Sequence, residues 1–382
     1  MKLKNIKSLT LAICLVNLFA CSEDNPIDYS KSVIITEPTV SNNFDKWLDH
    51  NILGPYNIDL RYKIKDNETS MTYHLAPAEF EKSIRMAHLV KYLCLETYDE
   101  ATGSTEFVRS LFPKIVDLIG SPAYNTNGTM VLGTAEGGRK MTLYNVNNLD
   151  PSKPEALNEL YFKTVHHEFG HIQNQTKAYP KEFQQITASA YVSDSWNTKW
   201  DTPENTKDVV FEELQKVHAK GAELLKLYRE YNTLSKKKNP TEEEKARLKE
   251  LQKPLTEYNN NPEYKNDLDL YMGQVRVLDK LDVSQVNALR AGFVSPYASS
   301  QHGEDFVEVQ SIFMTDAPNV WAAKLAIAGT TGRELIQAKY AIVESYLRSE
   351  WGLSLVQLRD IVQKRQAKVK EQNLDDLTVK SN

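Results

Sequence analysis

Apolar residues along this chain fall into runs of contrasting period. Leu157, Tyr161, Val165, Phe169 and Ile172 recur every three or four residues. That spacing predicts an amphipathic helix over 154–175, with Pro154 and Glu155 suited to its first turn. Residues 78–97 predict a second helix, carrying Leu89, Tyr92 and Leu93 beside Cys94, and 105–119 a third. Residues 57–64 alternate and predict a half-buried strand. Residues 130–133 and 140–146 predict a hairpin turning through 134–139. Two charged helical patterns within 205–257 flank a polar break at 235–240 and predict a solvated antiparallel helical hairpin. Thr241 and Glu244 suit a capping box there, and Pro254 is expected to end or kink its second helix. Ser299 or Ser300 is expected to cap a helix carrying Phe306, Val309, Ile312 and Phe313. Residues 333–373 predict further helices, with Leu355, Leu358, Ile361 and Val362 in the core. No fixed-period repeat is present.

Composition narrows the function classes. The chain has 382 residues, a formal net charge of −5 and 25% charged residues, an ordinary globular mixture. Its mild acidity argues against nucleic acid as a partner, because phosphate binding needs a dense basic face. No apolar run after the N-terminus is long enough to span a bilayer.

The first 20 residues predict a secretory signal peptide: Lys2, Lys4 and Lys7 precede an apolar core from Leu9 to Ala20. Leu18-Phe19-Ala20-Cys21 resembles the lipobox of bacterial lipoproteins, which implies a lipid on Cys21 and membrane contact through that anchor only. Removing residues 1–20 takes away three lysines and no acid, moving the balance to −8. The acidic stretch from Ser22 to Pro26 resembles a surface-export signal of Gram-negative lipoproteins, implying an outer-membrane, cell-surface location. Residues 21–45 are expected to be tether and 46–382 the folded domain. Cys94 is then the only cysteine beyond the anchor, so no intrachain disulfide framework forms, and its apolar neighbours predict a packed thiol.

Candidate chemistry concentrates in Thr164-Val165-His166-His167-Glu168-Phe169-Gly170-His171, which contains H-E-x-x-H. On a helix, positions i and i+4 share a face, so His167 and His171 can point ring nitrogens at one zinc ion. Glu168 lies about 100° round the helix, where it can take a proton from a metal-bound water. His166 points elsewhere and is expected beside the ligands or at the surface. The third ligand is not set by the motif. A metzincin pattern needs glycine at 174 and histidine at 177, where Asn174 and Lys177 stand. Thermolysin-like and aminopeptidase-like spacings need glutamate near 190–191, where Ala190 and Tyr191 stand. Far downstream, Glu304 and Glu308 are four apart. One can ligate zinc while the other hydrogen-bonds a ligand histidine. His302 and Asp305 are rival ligands.

H-E-F-G-H followed by E-D-F-V-E resembles the gluzincin clan of zinc peptidases, specifically those whose second motif reads E-x-F-x-E. The lipoprotein start, Tyr56-Asn57-Ile58 and Ser295-Pro296-Tyr297-Ala298 resemble a narrower group: zinc-binding metallopeptidase lipoproteins, or import-associated zinc metallohydrolases, encoded beside SusC/SusD-type nutrient-import receptors. That resemblance implies an α+β fold, a zincin-like domain with a helical insertion at about 205–275 and a helical C-terminal part. It implies Zn2+ on His167, His171 and Glu304, with Glu308 supporting a ligand histidine. It also implies Glu168 as base, Tyr297 as oxyanion partner, a peptide or protein substrate and hydrolysis of its peptide bonds. By the same resemblance the substrate lies antiparallel to an edge strand, for which the strand at 140–146, just before the active helix, is the candidate. The alternative is a non-catalytic zincin-like binding module serving the import receptor.

Overall fold

In the computed structural model, the described residues are 41–64, 69, 72–126, 128–136 and 138–379. The signal peptide, Cys21 and most of the tether lie outside them. Asn43–Asn382 form one compact unit. It is mixed α and β, mostly helical, with one small sheet of four strands. Among the described residues no helix is long and apolar enough to cross a membrane.

The strands are β1 (Asp59–Arg61), β2 (Ile115–Leu118), β3 (Ala123–Tyr124), β4 (Met130–Val131), β5 (Gly133–Glu136) and β6 (Lys140–Leu143). The main sheet runs β1-β2-β6-β5, with β1, β2 and β6 parallel and β5 antiparallel on the edge; β3 and β4 form a separate pair. Three strand expectations are corrected. The helix predicted at 105–119 stops at Leu111, Phe112 turns extended before Pro113, and Ile115–Leu118 enter the sheet as β2. A parallel strand covered on both faces shows no alternation, and Ile-Val-Asp-Leu therefore passes for helix. The hairpin partner of β6 is Gly133–Glu136 rather than 130–133; Met130–Val131 pair with β3 instead. Consequently the strand at 140–146 is interior, and the edge belongs to β5.

The H-E-x-x-H segment lies on one continuous helical stretch, Pro154–Leu157, Asn158–Phe162 and Lys163–Thr176. The last of these, the histidine helix, buries Val165, Phe169 and Ile172. Phe169 meets Tyr98 and Phe112 with ring centroids 5.0 Å away in both cases. His302–Thr315, the glutamate helix, is buried from Asp305 to Met314 and packs along the histidine helix. Its start corrects the expected serine cap: Gln301 precedes it without a side-chain cap, and Ser299 sits in a short turn with its hydroxyl bonded to Pro296 O. Helices Gly329–Trp351 and Leu355–Ala367 complete the C-terminal part and bury Leu355, Leu358, Ile361 and Val362 as expected.

The insertion is larger than a hairpin. Thr206–Val217, Ala219–Ser235, Glu242–Asn259 and Pro262–Lys280 are successive helices. Leu224, Leu251 and Leu255 form a separate small core among the last three. The Thr241–Glu244 capping box is present. Pro254 does not end its helix, which continues to Asn259 because Leu251 and Leu255 on either side are anchored in that core.

Cys94 is fully buried, and burial pushes its thiol up out of the reactive range. Behind the glutamate helix, Lys339 Nζ lies 2.6 Å from Asp305 Oδ2 and donates to Gly292 O at 2.8 Å; both side chains are wholly buried. Tyr191 OH also donates to Asp305, at 2.8 Å. Removing one partner of such a pair strands a buried charge at a cost of about 3–5 kcal/mol. Lys339→Met is therefore expected to lower stability by about that amount in chemical denaturation, and Lys339→Met with Asp305→Asn to recover part of it.

Candidate metal centre

Two close approaches bring the site together. A Cβ added at Gly170 would lie 2.9 Å from Val307 Cγ1, so the glycine of H-E-F-G-H lets the glutamate helix lie directly on the histidine helix. A Cβ at Gly133 would lie 2.4 Å from Thr164 Cγ2, so glycine likewise brings edge strand β5 against the histidine helix.

Across that contact His167 Nε2 and Glu304 Oε2 are 3.0 Å apart, His171 Nε2 and Glu304 Oε2 3.1 Å, and the two Nε2 atoms 3.2 Å. His167, His171 and Glu304 are the group among the described residues that could hold a metal ion. The chemistry of the donors fits zinc. His167 Nδ1 faces Glu308 Oε1 at 2.9 Å. Burial alone would raise Glu308, but Lys163, His167 and Ser295 reverse the sign and hold it well below the usual carboxylate range. An ionised Glu308 accepts from Nδ1–H, which assigns the tautomer of neutral His167 and turns a lone pair at Nε2 toward the site. Two imidazole Nε2 atoms and a carboxylate oxygen thus converge within 3.2 Å of one another, close to the separation of neighbouring ligand atoms around tetrahedral zinc, about 3.3 Å for bonds near 2.0 Å.

The local field favours a cation. Burial lowers His167, yet Glu304, Glu308 and Glu168 outweigh it and lift the ring to about 9. Burial likewise works to raise Glu304, and the two histidines overcome it, holding the carboxylate far down.

Glu168 stands beside the cluster in the same cleft. Burial raises it above an ordinary glutamate, the two histidines pull the other way, and the Ala135 amide of β5 donates to it. Tyr297, in the turn Tyr297–Ser299, lines the same cleft with its ring 6.0 Å from that of His167. Burial and the nearby carboxylates keep its hydroxyl protonated well above the usual tyrosine range. Glu308 is 1% exposed and is held by Ser295 Oγ at 2.5 Å and Lys163 Nζ at 3.3 Å as well as by His167.

The other candidates are drawn elsewhere. His166 is a core residue, neither at the surface nor beside the ligands: it is fully buried, bonded through Nδ1 to Tyr98 OH at 3.0 Å, and lowered to about 4 by burial. His302 Nδ1 bonds Tyr179 OH at 2.6 Å, and Asp305 is committed to Lys339. Lys163 and Ser295 escaped the sequence reading as site residues. A signal existed for Lys163, which lies four residues before His167 on the same helical face.

A histidine helix bearing H-E-x-x-H, crossed by a helix that delivers a glutamate and flanked by a small mixed sheet, defines a zinc-binding protein of metallopeptidase architecture. The chain belongs to the family described as "Putative zinc-binding metallo-peptidase", which it matches over residues 37–356. It is similar to the crystal structure of "a putative zinc-binding metallo-peptidase from Bacteroides caccae ATCC 43185", with 29% identity and a TM-score of 0.59 over 91% of this chain and 100% of that one. No curated protein matches it.

Two predictions follow from the donors' supports. Ser295→Ala or Lys163→Met should weaken zinc binding about 10- to 100-fold, the range for groups that orient a ligand, measured by competition with a chelator. Zinc must also displace the proton that His167 holds below pH about 9. Apparent affinity should therefore rise with pH, approaching tenfold per unit, and level off above about 9; a flat profile from pH 6 to 9 would contradict displacement of a proton from His167.

Proposed function

We propose that the protein is a surface-anchored zinc peptidase that hydrolyses peptide bonds in extracellular peptides or proteins. The observation that carries this is the presence of Glu168, a partly buried carboxylate raised above its ordinary value, in one cleft with Tyr297 and with His167 of the three-donor metal centre. His167, His171 and Glu304 hold the zinc, which when bound supplies an electrophile for the scissile carbonyl and acidifies water. Glu168 takes a proton from the attacking water and returns it to the leaving amine. Its raised pKa suits both steps, and the Ala135 amide keeps the carboxylate aimed into the cleft. Tyr297 donates its hydroxyl hydrogen to the oxyanion as charge develops there. Glu308, clamped by Ser295 and Lys163, keeps the Nδ1 proton on His167. The edge strand β5, beside the histidine helix, offers backbone partners to an extended peptide.

Anchoring rests on the lipobox-like segment ending at Cys21. Its lipid would hold the enzyme at the outer membrane, facing outward. There it would work beside a SusC/SusD-type import receptor that takes up the released fragments.

About one zinc per chain is expected in the purified protein, with clear loss in His167→Ala and Glu304→Ala. Glu168→Ala should keep zinc and lose cleavage of a mixed peptide library by about 10²- to 10⁴-fold. Undiminished cleavage in that variant would refute Glu168 as base. A zinc-loaded parent that cleaves nothing would favour the binding module. Palmitate labelling of cells should mark the parent and not Cys21→Ala.

A further inference from the structure

We infer that the cleft beside His167 and Glu168 is a specificity pocket for one bulky apolar side chain, leucine- or phenylalanine-like, next to the bond that is cut. The inference rests on the peptidase reading and adds the substrate class to it. The pocket has a volume of about 240 Å³ and is walled by Met130, Val131, Leu132 and Trp196, with His167 and Glu168 at the reacting end. Pockets for whole small ligands run to about 300–1,000 Å³, so this one suits a side chain while the rest of the substrate lies outside.

One wall is apolar, formed by Met130, Val131, Leu132 and Trp196, and Asn125, Thr129 and Thr164 add polar groups around it. Met130 of β4 is 46% exposed at the rim, an adaptable apolar surface that the fold itself does not cover. Trp196 packs edge-on against Tyr297, with ring centroids 5.1 Å apart. The segment carrying Trp196 is pinned to the Tyr297–Ser299 turn. The Val192 amide donates to Ser299 O at 2.9 Å, the Ser193 amide to Ser300 O at 3.1 Å, and Trp200 Nε1 to Ser299 Oγ at 2.8 Å. An aromatic wall ordered before binding gives up little entropy when a substrate enters.

The charges at the base of the pocket offset each other. Lys163 faces Glu308 at 3.3 Å, and Glu308 also accepts from Ser295 and His167. An acidic substrate side chain would have to compete with Glu308 for Lys163, and a basic one would meet Lys163 first. Beyond Lys163 and Trp196 the space opens into a recess that carries Asp201 and Asp282, so a long basic side chain is the rival occupant to separate.

The test uses the zinc-loaded protein and a matched set of peptide hydroxamates that differ in one side chain: benzyl, isobutyl, methyl, carboxyethyl or guanidinopropyl. Binding is read by calorimetry, which needs no turnover. Benzyl and isobutyl probes should bind about 10- to 200-fold more tightly than methyl, the range for apolar discrimination in a pocket. Met130→Glu should shrink that gap about tenfold with zinc content unchanged. Equal binding of benzyl and methyl, tightest binding of the carboxyethyl or guanidinopropyl probe, or no binding by a zinc-loaded chain would each overturn the inference. The expected order of binding without cleavage of any peptide would instead refute the peptidase reading and uphold the pocket.

Discussion

The structure is organised around one unfavourable convergence: two imidazole nitrogens and a carboxylate oxygen, all electron-pair donors, held within 3.2 Å of one another. Such a group is stable only with a cation among its members, a proton or a metal ion, and the surrounding protein enforces the approach. It does so by backbone proximity. Gly170 has no side chain where the glutamate helix crosses, and Gly133 has none where β5 meets the histidine helix. Tight packing of Phe169 among Tyr98, Phe107 and Phe112 then holds the histidine helix from behind.

The glutamate helix carries the electrostatic cost of this arrangement. Glu304, Asp305 and Glu308 fall within one and a half turns, and each faces a different positive or hydrogen-donating partner. Glu304 faces the metal centre, Asp305 pairs with buried Lys339, and Glu308 is clamped by Lys163, Ser295 and His167. Distributing three carboxylates among three partners holds Glu304 and Glu308 low against desolvation and limits the rise of Asp305 to about 6. It also fixes the rotation of the helix about its axis, because no other rotation satisfies all three. The expectation that His302 or Asp305 competes for the metal fails for this reason: each already has a partner of its own.

Much of the fold was legible in the periodicity. Val165, Phe169 and Ile172 mark the buried stripe of the histidine helix, and the C-terminal helices follow the same rule. The errors cluster where pattern and burial part company. Ile115–Leu118 is covered on both faces and so lacks the alternation that marks a strand. The β5–β6 pairing depends on Gly133-Thr134-Ala135-Glu136, a weakly apolar run that reads as turn, whereas the more apolar Met130–Val131 belongs to another pair. Pro254 leaves its helix intact because leucines on both sides are anchored in the small core of the insertion, a tertiary gain that outweighs local propensity.

The sequence by itself determined the local geometry of the candidate centre: His167 and His171 share a face because the helical repeat is local, and Glu168 is offset from them for the same reason. It also singled out Glu304 and Glu308 through their spacing and their resemblance to a known second motif. Only the tertiary structure brought Glu304 to the two Nε2 atoms and Glu308 to His167 Nδ1, turned His166 into the core, made β5 and not β6 the edge, and set Lys163 and Ser295 on Glu308. Helical phase fixes relations over four residues. Relations over 137 residues, such as that between His167 and Glu304, depend on how two helices pack, and packing is set by side chains and missing side chains spread across the whole chain.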